Sequence, residues 1–299
     1  MKTDLNIHIP VLRDSVVEYL EPLGGKIIVD ATIGAGGYAE MILEKMGAAG
    51  KYIGLEQDAD AIAYAQERLA PYSDRLSLFH CNFSRLHEVL TQIGIPYVNG
   101  IVFDLGLSSL QLSDPGRGFS FSLEGPLDMR MNRQQQLTAW EIVNRYDEKD
   151  LGGLFREHGE ERFSKRIAAA LVQARKKSPI TTTTELARIV GQAIPHKAWP
   201  KKIHPATKIF QALRIAVNDE MKNLERGITQ AISHLEKEGR LIVLSYHSLE
   251  DRIVKNIFKA HEGKGYKIVT KKPIVPSWDE VEKNRRARSA KLRVLERAA

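Results

Sequence analysis

Short apolar runs that are rich in β-branched residues recur along this 299-residue chain, and they leave few architectures open to it. Each is too short for a helix and ends at a polar or acidic residue, and the four clearest are 27–30, 52–56, 100–104 and 240–245. Such runs are typical of buried strands in a parallel sheet. Residues 76–80 are a fifth strand candidate and residues 267–270 a weaker sixth.

Helical patterns alternate with the first of these runs. Residues 37–46 and 58–69 carry apolar side chains at helical spacing directly after the first two candidate strands. A chain that alternates strand and helix in this way favours a Rossmann-like, doubly wound α/β sheet with right-handed crossovers.

The alternation stops after Ser109. An irregular, glycine-rich stretch follows, and the helical period then extends from about 137 to 194. After a short basic segment, a long helical stretch covers 206–238, with Gly227 as a candidate interruption. Only then does the strand at 240–245 resume the α/β pattern.

A domain inserted between two strands of another domain explains this order most simply. We predict a mainly helical, substrate-recognition domain at residues 111–204. It interrupts an α/β domain made of residues 1–110 and 205–299. The expected fold class is therefore α/β, a doubly wound sheet with an inserted helical domain.

The charge and the cysteine content narrow the function classes. Lys and Arg exceed Asp and Glu by 7, which indicates an anionic partner such as nucleic acid or a membrane surface. The single cysteine, Cys81, excludes an intramolecular disulfide and a zinc site built on several cysteines, and we expect no metal. No apolar run reaches the length of a membrane-spanning helix, and the first residues lack a signal-peptide pattern. We therefore expect a cytoplasmic protein.

The first candidate turn after a strand is rich in glycine. Gly34, Gly36 and Gly37 allow a tight turn and a close backbone approach to a ligand at the start of the next helix. The next strand ends in Glu56, 22 residues after Gly34, where an acid can accept hydrogen bonds from a ribose diol. The alternative is that Glu56 is a solvated strand-end acid or a partner of a helix N-cap.

Two further residues would lie on the same edge of the sheet. Phe83 follows the strand at 76–80, where it covers an adenine ring or belongs to the core. Asp104 closes the fourth run, and Gly106 frees the backbone after it. An acceptor at this edge can hold an N–H of a cytosine amino group and direct its nitrogen at an electrophilic methyl group. The alternative for Asp104 is a cap of the following turn.

Many separate strings, in order, resemble the family of ribosomal RNA small-subunit methyltransferase H, also called MraW. The resemblance extends through nearly the whole chain. The strings are 8–12 (HIPVL), 30–37 (DATIGAGG), 104–109 (DLGLSS), 117–121 (RGFSF), 125–131 (GPLDMRM), 159–163 (GEERF), 204–207 (HPAT), 210–215 (FQALRI), 247–252 (HSLEDR) and 288–293 (RSAKLR).

This resemblance implies a class I methyltransferase that uses S-adenosylmethionine to methylate N4 of one cytosine in the decoding region of 16S rRNA. Carried over position by position, the cofactor residues are Gly36, Gly37, Tyr38, Glu56, Phe83, Asp104 and Gln111. The chain departs from the usual pattern at four positions, with Tyr38 for His, Glu56 for Asp, Leu110 for Pro and Tyr246 for Phe. Tyr38 leaves open how the methionine part of the cofactor is recognised. Glu56 keeps the two carboxylate oxygens that can accept hydrogen bonds from the ribose.

Aromatic and basic residues supply the candidates for substrate contact. Flipped-out bases often stack on aromatic rings while arginines bind phosphates, which points to Arg117, Phe119 and Phe121; core packing is the alternative for each ring. His247 follows the 240–245 strand and lines the cleft or is a structural histidine. No dedicated base is required, because the methylated nitrogen loses its proton readily to water.

Basic segments complete the substrate candidates. Two interpretations are open for a basic segment that contains His204, Lys197, Lys201 and Lys202: it contacts phosphates, or it forms a solvated face. The same two interpretations apply to the basic tail from Lys283. The expected partner is 16S rRNA, within a nearly complete small subunit, and the sequence is compatible with a monomer or a homodimer. The rival functions are a nicotinamide-dependent oxidoreductase, for which no hydride-transfer partner is found, and a non-catalytic RNA-binding assembly factor.

Overall fold

The computed structural model describes residues 10–21, 23–200 and 203–299. The chain divides into two compact units. The sheet unit consists of Met1–Ser108 and Met221–Ala299, and the helical unit of Ser109–Glu220. Two parts of the sequence predictions, Lys201 with Lys202 and the start of the 8–12 string, lie outside the described residues.

The sheet unit contains a seven-stranded sheet in the order β3-β2-β1-β4-β5-β7-β6. Its strands are β1 (Ile27–Asp30), β2 (Lys51–Glu56), β3 (Leu76–His80), β4 (Val98–Asp104), β5 (Leu235–Ser245), β6 (Tyr266–Ile268) and β7 (Lys291–Arg297). The first five strands are parallel to one another, and β7 runs antiparallel between β5 and β6. All six predicted strands are present, and the doubly wound sheet is confirmed.

The strand β7 was not predicted. Its residues belong to the basic tail that begins at Lys283, which the sequence assigned to RNA contact or a solvated face. Leu292, Val294 and Leu295 are buried, so this half of the tail is part of the sheet. Residues Lys291–Arg297 are therefore a strand of the sheet, and the prediction that the whole tail is an RNA contact or a solvated face does not describe them.

Helices cover both faces of the sheet. The first four are α1 (Arg13–Leu20), α2 (Gly37–Met46), α3 (Ala59–Arg68) and α4 (Leu86–Gln92). The helical unit holds α5 (Ser109–Ser113), α6 (Ala139–Arg145), α7 (Glu148–Glu157), α8 (Ser164–Arg175), α9 (Thr183–Ala193) and α10 (Thr207–Asn218). The chain continues with α11 (Glu220–Ser233), α12 (Ser248–His261) and α13 (Trp278–Lys283).

Two hydrophobic cores lie within the sheet unit. In one, α1 and α2 pack against strands that include β1 and β7; in the other, α4, α11 and α12 pack against strands that include β4 and β5. Since both faces are covered, the central strands are apolar throughout rather than alternating, which is why they were visible in the sequence.

The long helical stretch breaks at Asp219, not at Gly227. Asp219 has a positive φ of 49° and ends α10, whereas Gly227 lies inside α11. A Cβ atom at position 227 would lie 2.7 Å from Cδ2 of Phe83. Glycine stands here because another side chain packs against the helix backbone, and it does not interrupt the helix.

The helical unit is longer than predicted. The sequence placed its end at residue 204, but α10 packs against α6 and α7 and belongs to this unit. Buried Ile209, Leu213 and Phe210 tie α10 to the unit. The boundary therefore falls at Glu220, and the entry at Ser109 lies within two residues of the prediction.

Among the described residues, none of the helices is both long enough and apolar enough to cross a membrane.

Candidate active site at the carboxyl edge of the sheet

The glycine turn after β1 leads directly into α2. Gly34 and Gly36 have φ values of 51° and 80°, a region that favours glycine over other residues. Gly36 is the N-cap of α2 and supplies no capping oxygen. The amides of the first helical turn, beginning at Gly37, can therefore bind an anionic or carboxylate group of a ligand.

Glu56 ends β2 and closes onto this turn. Its Oε2 accepts a hydrogen bond from the Gly34 amide at 3.0 Å, and its Oε1 accepts one from the Asp58 amide at 2.9 Å. Burial raises the pKa of this carboxyl to about 7, although the backbone amides favour the charged form. The Gln57 amide is a third donor to this carboxylate, so one of its roughly four acceptor sites remains for a ribose hydroxyl.

The structural alternative for Glu56 is also realised. Asp58 is the N-cap of α3, where its side chain accepts from the Asp60 amide, and Glu56 holds the backbone of this cap. Glu56 therefore joins the glycine turn to the start of α3 in addition to any contact with a ligand.

Asp30 lies beneath the turn and is almost completely buried. Burial raises its pKa to about 6, against the hydrogen bonds from the Thr32 amide and from the Tyr52 hydroxyl at 3.0 Å. Both oxygens of its carboxylate thus accept hydrogen bonds from the protein itself, and these bonds stabilise the turn.

Asp104 is the last residue of β4, with its backbone amide donating to Thr32 Oγ1 at 2.6 Å. Its Oδ1 accepts a hydrogen bond from the Tyr246 hydroxyl at 2.6 Å. No donor from the described part of the chain reaches Oδ2, so Asp104 caps no turn there. Burial raises the pKa of this carboxyl to about 7; the Tyr246 bond lowers it, and nearby Asp30 and Glu250 raise it.

Tyr38 differs from the contact expected of it. Its side chain is buried in the core, and its hydroxyl donates to the backbone carbonyl of Val11. Only the backbone at the start of α2 remains for a ligand at this position. Phe83 packs edge-to-face on Phe103, with ring centroids 5.4 Å apart, and remains partly exposed.

The sheet unit brings most of the predicted cofactor residues to one edge. Gly34, Gly36, Gly37 and Tyr38 follow β1, Glu56 ends β2, Phe83 follows β3 and Asp104 ends β4. Gln111 lies on α5 in the helical unit, where its side chain is buried.

Two of the predicted substrate contacts are inside the helical unit. Arg117 is 2% exposed and donates to the backbone carbonyls of Arg130 and Met131, each at 3.0 Å. Phe119 is 6% exposed, and the Arg117 guanidinium lies 5.8 Å from its ring centroid. The prediction that these two side chains bind RNA is therefore not met by the structure, because neither reaches the surface.

Phe121 and His204, in contrast, belong to a group of neighbouring rings. Their centroids are 4.8 Å apart, and His204 also lies 5.8 Å from the ring of Trp199. His196 lies 4.8 Å from Trp199. The sequence pointed to His204 and the lysines of this segment as phosphate contacts, but not to His196 and Trp199 or to the grouping of these rings with Phe121.

Comparison with known proteins decides the family. A model of the MraW methylase family matches residues 6–298, which is nearly the whole chain. The chain belongs to the MraW methylase family. Its doubly wound sheet, with β7 antiparallel between β5 and β6, is the class I methyltransferase fold that the resemblance predicted.

Members of the family with curated names are similar over their full length. The Ribosomal RNA small subunit methyltransferase H of Carboxydothermus hydrogenoformans is 46% identical over 97% of both chains. The protein of that name from a Sulfurihydrogenibium species is 48% identical, covering 96% of this chain and 98% of its own. A solved structure of an rRNA methylase from Streptococcus thermophilus has a TM-score of 0.45 at 11% identity, covering 96% and 94% of the two chains.

His247 caps α12 in this member of the family. Its Nδ1 accepts from the Glu250 amide at 3.4 Å, and its Nε2 lies 3.1 Å from Glu250 Oε1. Both ring nitrogens thus serve the start of the helix. This favours the structural interpretation of His247 over a role in proton transfer.

The basic tail divides into two parts with different surroundings. Lys283, with the arginines at 285, 286 and 288, is exposed. Within β7, Lys291 and Arg293 bind the two oxygens of Asp251 at 2.9 and 2.7 Å. The first part is therefore the more exposed candidate for a basic RNA-binding surface.

Proposed function

We propose that the protein is an S-adenosylmethionine-dependent methyltransferase that acts on N4 of a cytosine in the decoding region of 16S rRNA, in the cytoplasm. The observation that carries the proposal is the Asp104 carboxylate. It lies at the carboxyl edge of β4, beside the glycine turn, with one oxygen held by Tyr246 and the other open. Membership of the MraW methylase family supports the same conclusion.

The residues at this edge fit the cofactor. The turn at Gly34 and Gly36 brings backbone close to a ligand, Glu56 offers its remaining acceptor capacity to a ribose hydroxyl, and Phe83 offers a partly exposed ring after β3. When bound, S-adenosylmethionine supplies an electrophilic methyl group. The chain itself has to bind the cofactor and bring the substrate nitrogen into line.

Asp104 performs that second task. The amino nitrogen of cytosine is amide-like, because its lone pair is delocalised into the ring. When Oδ2 accepts one of its N–H groups, the nitrogen is held and directed, and positioning of this kind contributes several kcal/mol to catalysis. The proton of the methylated nitrogen passes to water, so His247 can remain a structural group.

The helical unit supplies contacts to the RNA in this proposal. The rings of Phe121, Trp199 and His204 lie next to one another, and His204 is exposed. Bases in single-stranded loops stack on such rings, and exposed lysines such as Lys197 attract phosphates. Because a decoding-region cytosine lies within folded RNA, we propose a nearly complete small subunit as the substrate.

The test measures transfer of a labelled methyl group from S-adenosylmethionine to small subunits that lack this modification, with naked 16S rRNA in parallel. We expect label in the 16S rRNA and more of it with subunits. Asp104→Asn should lower kcat about 10²- to 10³-fold, and the exposed acid Asp74→Asn is the matched control.

Two outcomes of this experiment contradict the proposal. Binding of subunits without any transfer of label would favour the assembly-factor interpretation. A folded Asp104→Asn protein that methylates at the wild-type rate would remove Asp104 from the reaction.

A further inference from the structure

The hydroxyl of Tyr246 forms a hydrogen bond with Asp104, the residue that is proposed to direct the substrate nitrogen. It donates to Asp104 Oδ1 at 2.6 Å across 142 residues of sequence. The register of the sheet explains the approach, because Asp104 pairs with Leu244 and Tyr246 follows directly after β5. The two side chains therefore leave neighbouring parallel strands at the same edge.

Tyr246 is itself held from two sides. Its backbone amide donates to Glu250 Oε2 at 2.8 Å, and Glu250 is buried within the capping box of α12. On the other side is Gly106, with a φ of 101°, where a Cβ atom would lie 3.5 Å from Cδ2 of the Tyr246 ring. The bond to Glu250 thus holds the backbone of Tyr246, and the absence of a side chain at position 106 leaves room for its ring.

This arrangement distinguishes the two oxygens of Asp104. Oδ1 is occupied by the phenol, which opposes rotation of the carboxylate about its last bond. Oδ2 receives no donor from the described residues and is left to accept a hydrogen bond from a substrate. One hydrogen bond thus fixes the direction in which the acceptor points.

The Tyr246 phenol also opposes the effect of the negative charges around Asp104, which raise the pKa of its carboxyl. Asp30 on β1 and Glu250 on α12 face the carboxylate with like charge, and the phenol of Tyr38 on α2 lies near it. Repulsion and burial both favour protonation of Asp104, whereas a hydrogen bond from Tyr246 favours the ionised form. The pKa of Tyr246 is raised well above its ordinary value, first by its own burial, so it stays a donor throughout the neutral range.

We propose that Tyr246 is a positioning residue for methyl transfer, which holds Oδ1 of Asp104 and favours the charged carboxylate, so that Oδ2 accepts a hydrogen bond from the amino group of the cytosine. The inference rests on the proposed role of Asp104. It assigns this function to a side chain that the sequence marked only as a departure from the usual phenylalanine.

The test is the dependence of kcat on pH, between pH 6 and 9, for Tyr246→Phe. A hydrogen bond to a charged group is worth enough to move the pKa of its acceptor by about 1–2 units. We therefore expect the acid limb of the profile to move up by that amount. Then kcat falls about 5- to 50-fold at pH 7 and returns to within about twofold of wild type at pH 9. The KM for S-adenosylmethionine should change less than about twofold.

Two further variants separate a specific effect from a general one. Tyr266→Phe removes a hydroxyl that donates to a backbone carbonyl, that of Ile232, at 3.0 Å, and should leave the profile unchanged. On an Asp104→Asn background, Tyr246→Phe should cause no further loss, because the two residues act as one unit.

The outcomes distinguish this inference from the proposed function. If Asp104→Asn is impaired but Tyr246→Phe has the wild-type profile, Tyr246 has no such role, while the assignment of Asp104 stands. If Asp104→Asn is fully active, the proposed function fails first. A loss in Tyr246→Phe that is equal at every pH would likewise overturn the inference.

Discussion

Replacing Asp30 with asparagine should make the protein more stable at neutral pH. Asp30 is 1% exposed, and its pKa rises from 3.8 to about 6, first because burial disfavours the charge. Ionised Asp30 is therefore a cost of the folded state. A rise of about 2 units corresponds to about 3 kcal/mol of unfolding free energy at neutral pH.

The sign follows from proton binding. Because the folded state holds the proton more tightly, the contribution of Asp30 to stability is fully present below pH 3.8 and is lost as the pH rises through about 6. Asparagine keeps an acceptor for the Thr32 amide, and its NH₂ can donate to the Tyr52 hydroxyl. The variant should thus gain up to about 3 kcal/mol at pH 7.5 and almost nothing near pH 4.

Urea unfolding without cofactor, followed by circular dichroism at several pH values, measures this difference between variant and wild type. Asp58→Asn is the matched control at pH 7.5, because asparagine caps a helix as well as aspartate and the change should stay within about 0.5 kcal/mol. An Asp30→Asn protein that is less stable at pH 7.5, or a gain that is the same at pH 4, would refute the reasoning.

The other predictions concern the packing of the site, the pairing of β7 and the RNA-binding rings. Gly227→Ala should displace Phe83, because the new Cβ would lie 2.7 Å from Cδ2 of its ring, and calorimetry should then show weaker binding of S-adenosylmethionine; an unchanged affinity would show that Phe83 does not bind the cofactor. Arg293→Met should cost about 1–3 kcal/mol in urea unfolding at pH 7 and less at a pH acidic enough to protonate Asp251, whose pKa is held below its ordinary value by the bonds from Arg293 and Lys291; an equal loss at both pH values would contradict the pairing. Phe121→Ala should raise the KM for subunits about 5- to 100-fold with cofactor affinity unchanged, whereas an unchanged KM would exclude stacking.

The parallel strands could be predicted because each is an apolar run that both faces of the sheet bury. The bounds of β1 and β3 agree with the sequence prediction to the residue. The strand β7 could not be predicted in the same way, because lysine and arginine interrupt its apolar residues. Its Arg293 is tolerated only because Asp251, on α12, binds it.

At the site, the placement that depends on spacing within one βαβ unit could be predicted, and contacts between side chains could not. The offset between Gly34 and Glu56 placed an acid near the glycine turn as a ribose acceptor, but the hydrogen bond of 3.0 Å that joins the two residues was not predicted. The bond from Tyr246 to Asp104 requires β5 to pair with β4, which the sequence does not state. The packing of Phe83 on Gly227 was hidden for the same reason.

The position of the methyl group on the product tests the central claim most directly. After reaction with labelled S-adenosylmethionine, the 16S rRNA of the small subunits is digested to nucleosides and separated against standards. The account predicts that the label elutes as N4-methylcytidine and that Asp104→Asn abolishes most of it. Label in 5-methylcytidine or in another nucleoside would contradict an acceptor that directs the amino nitrogen.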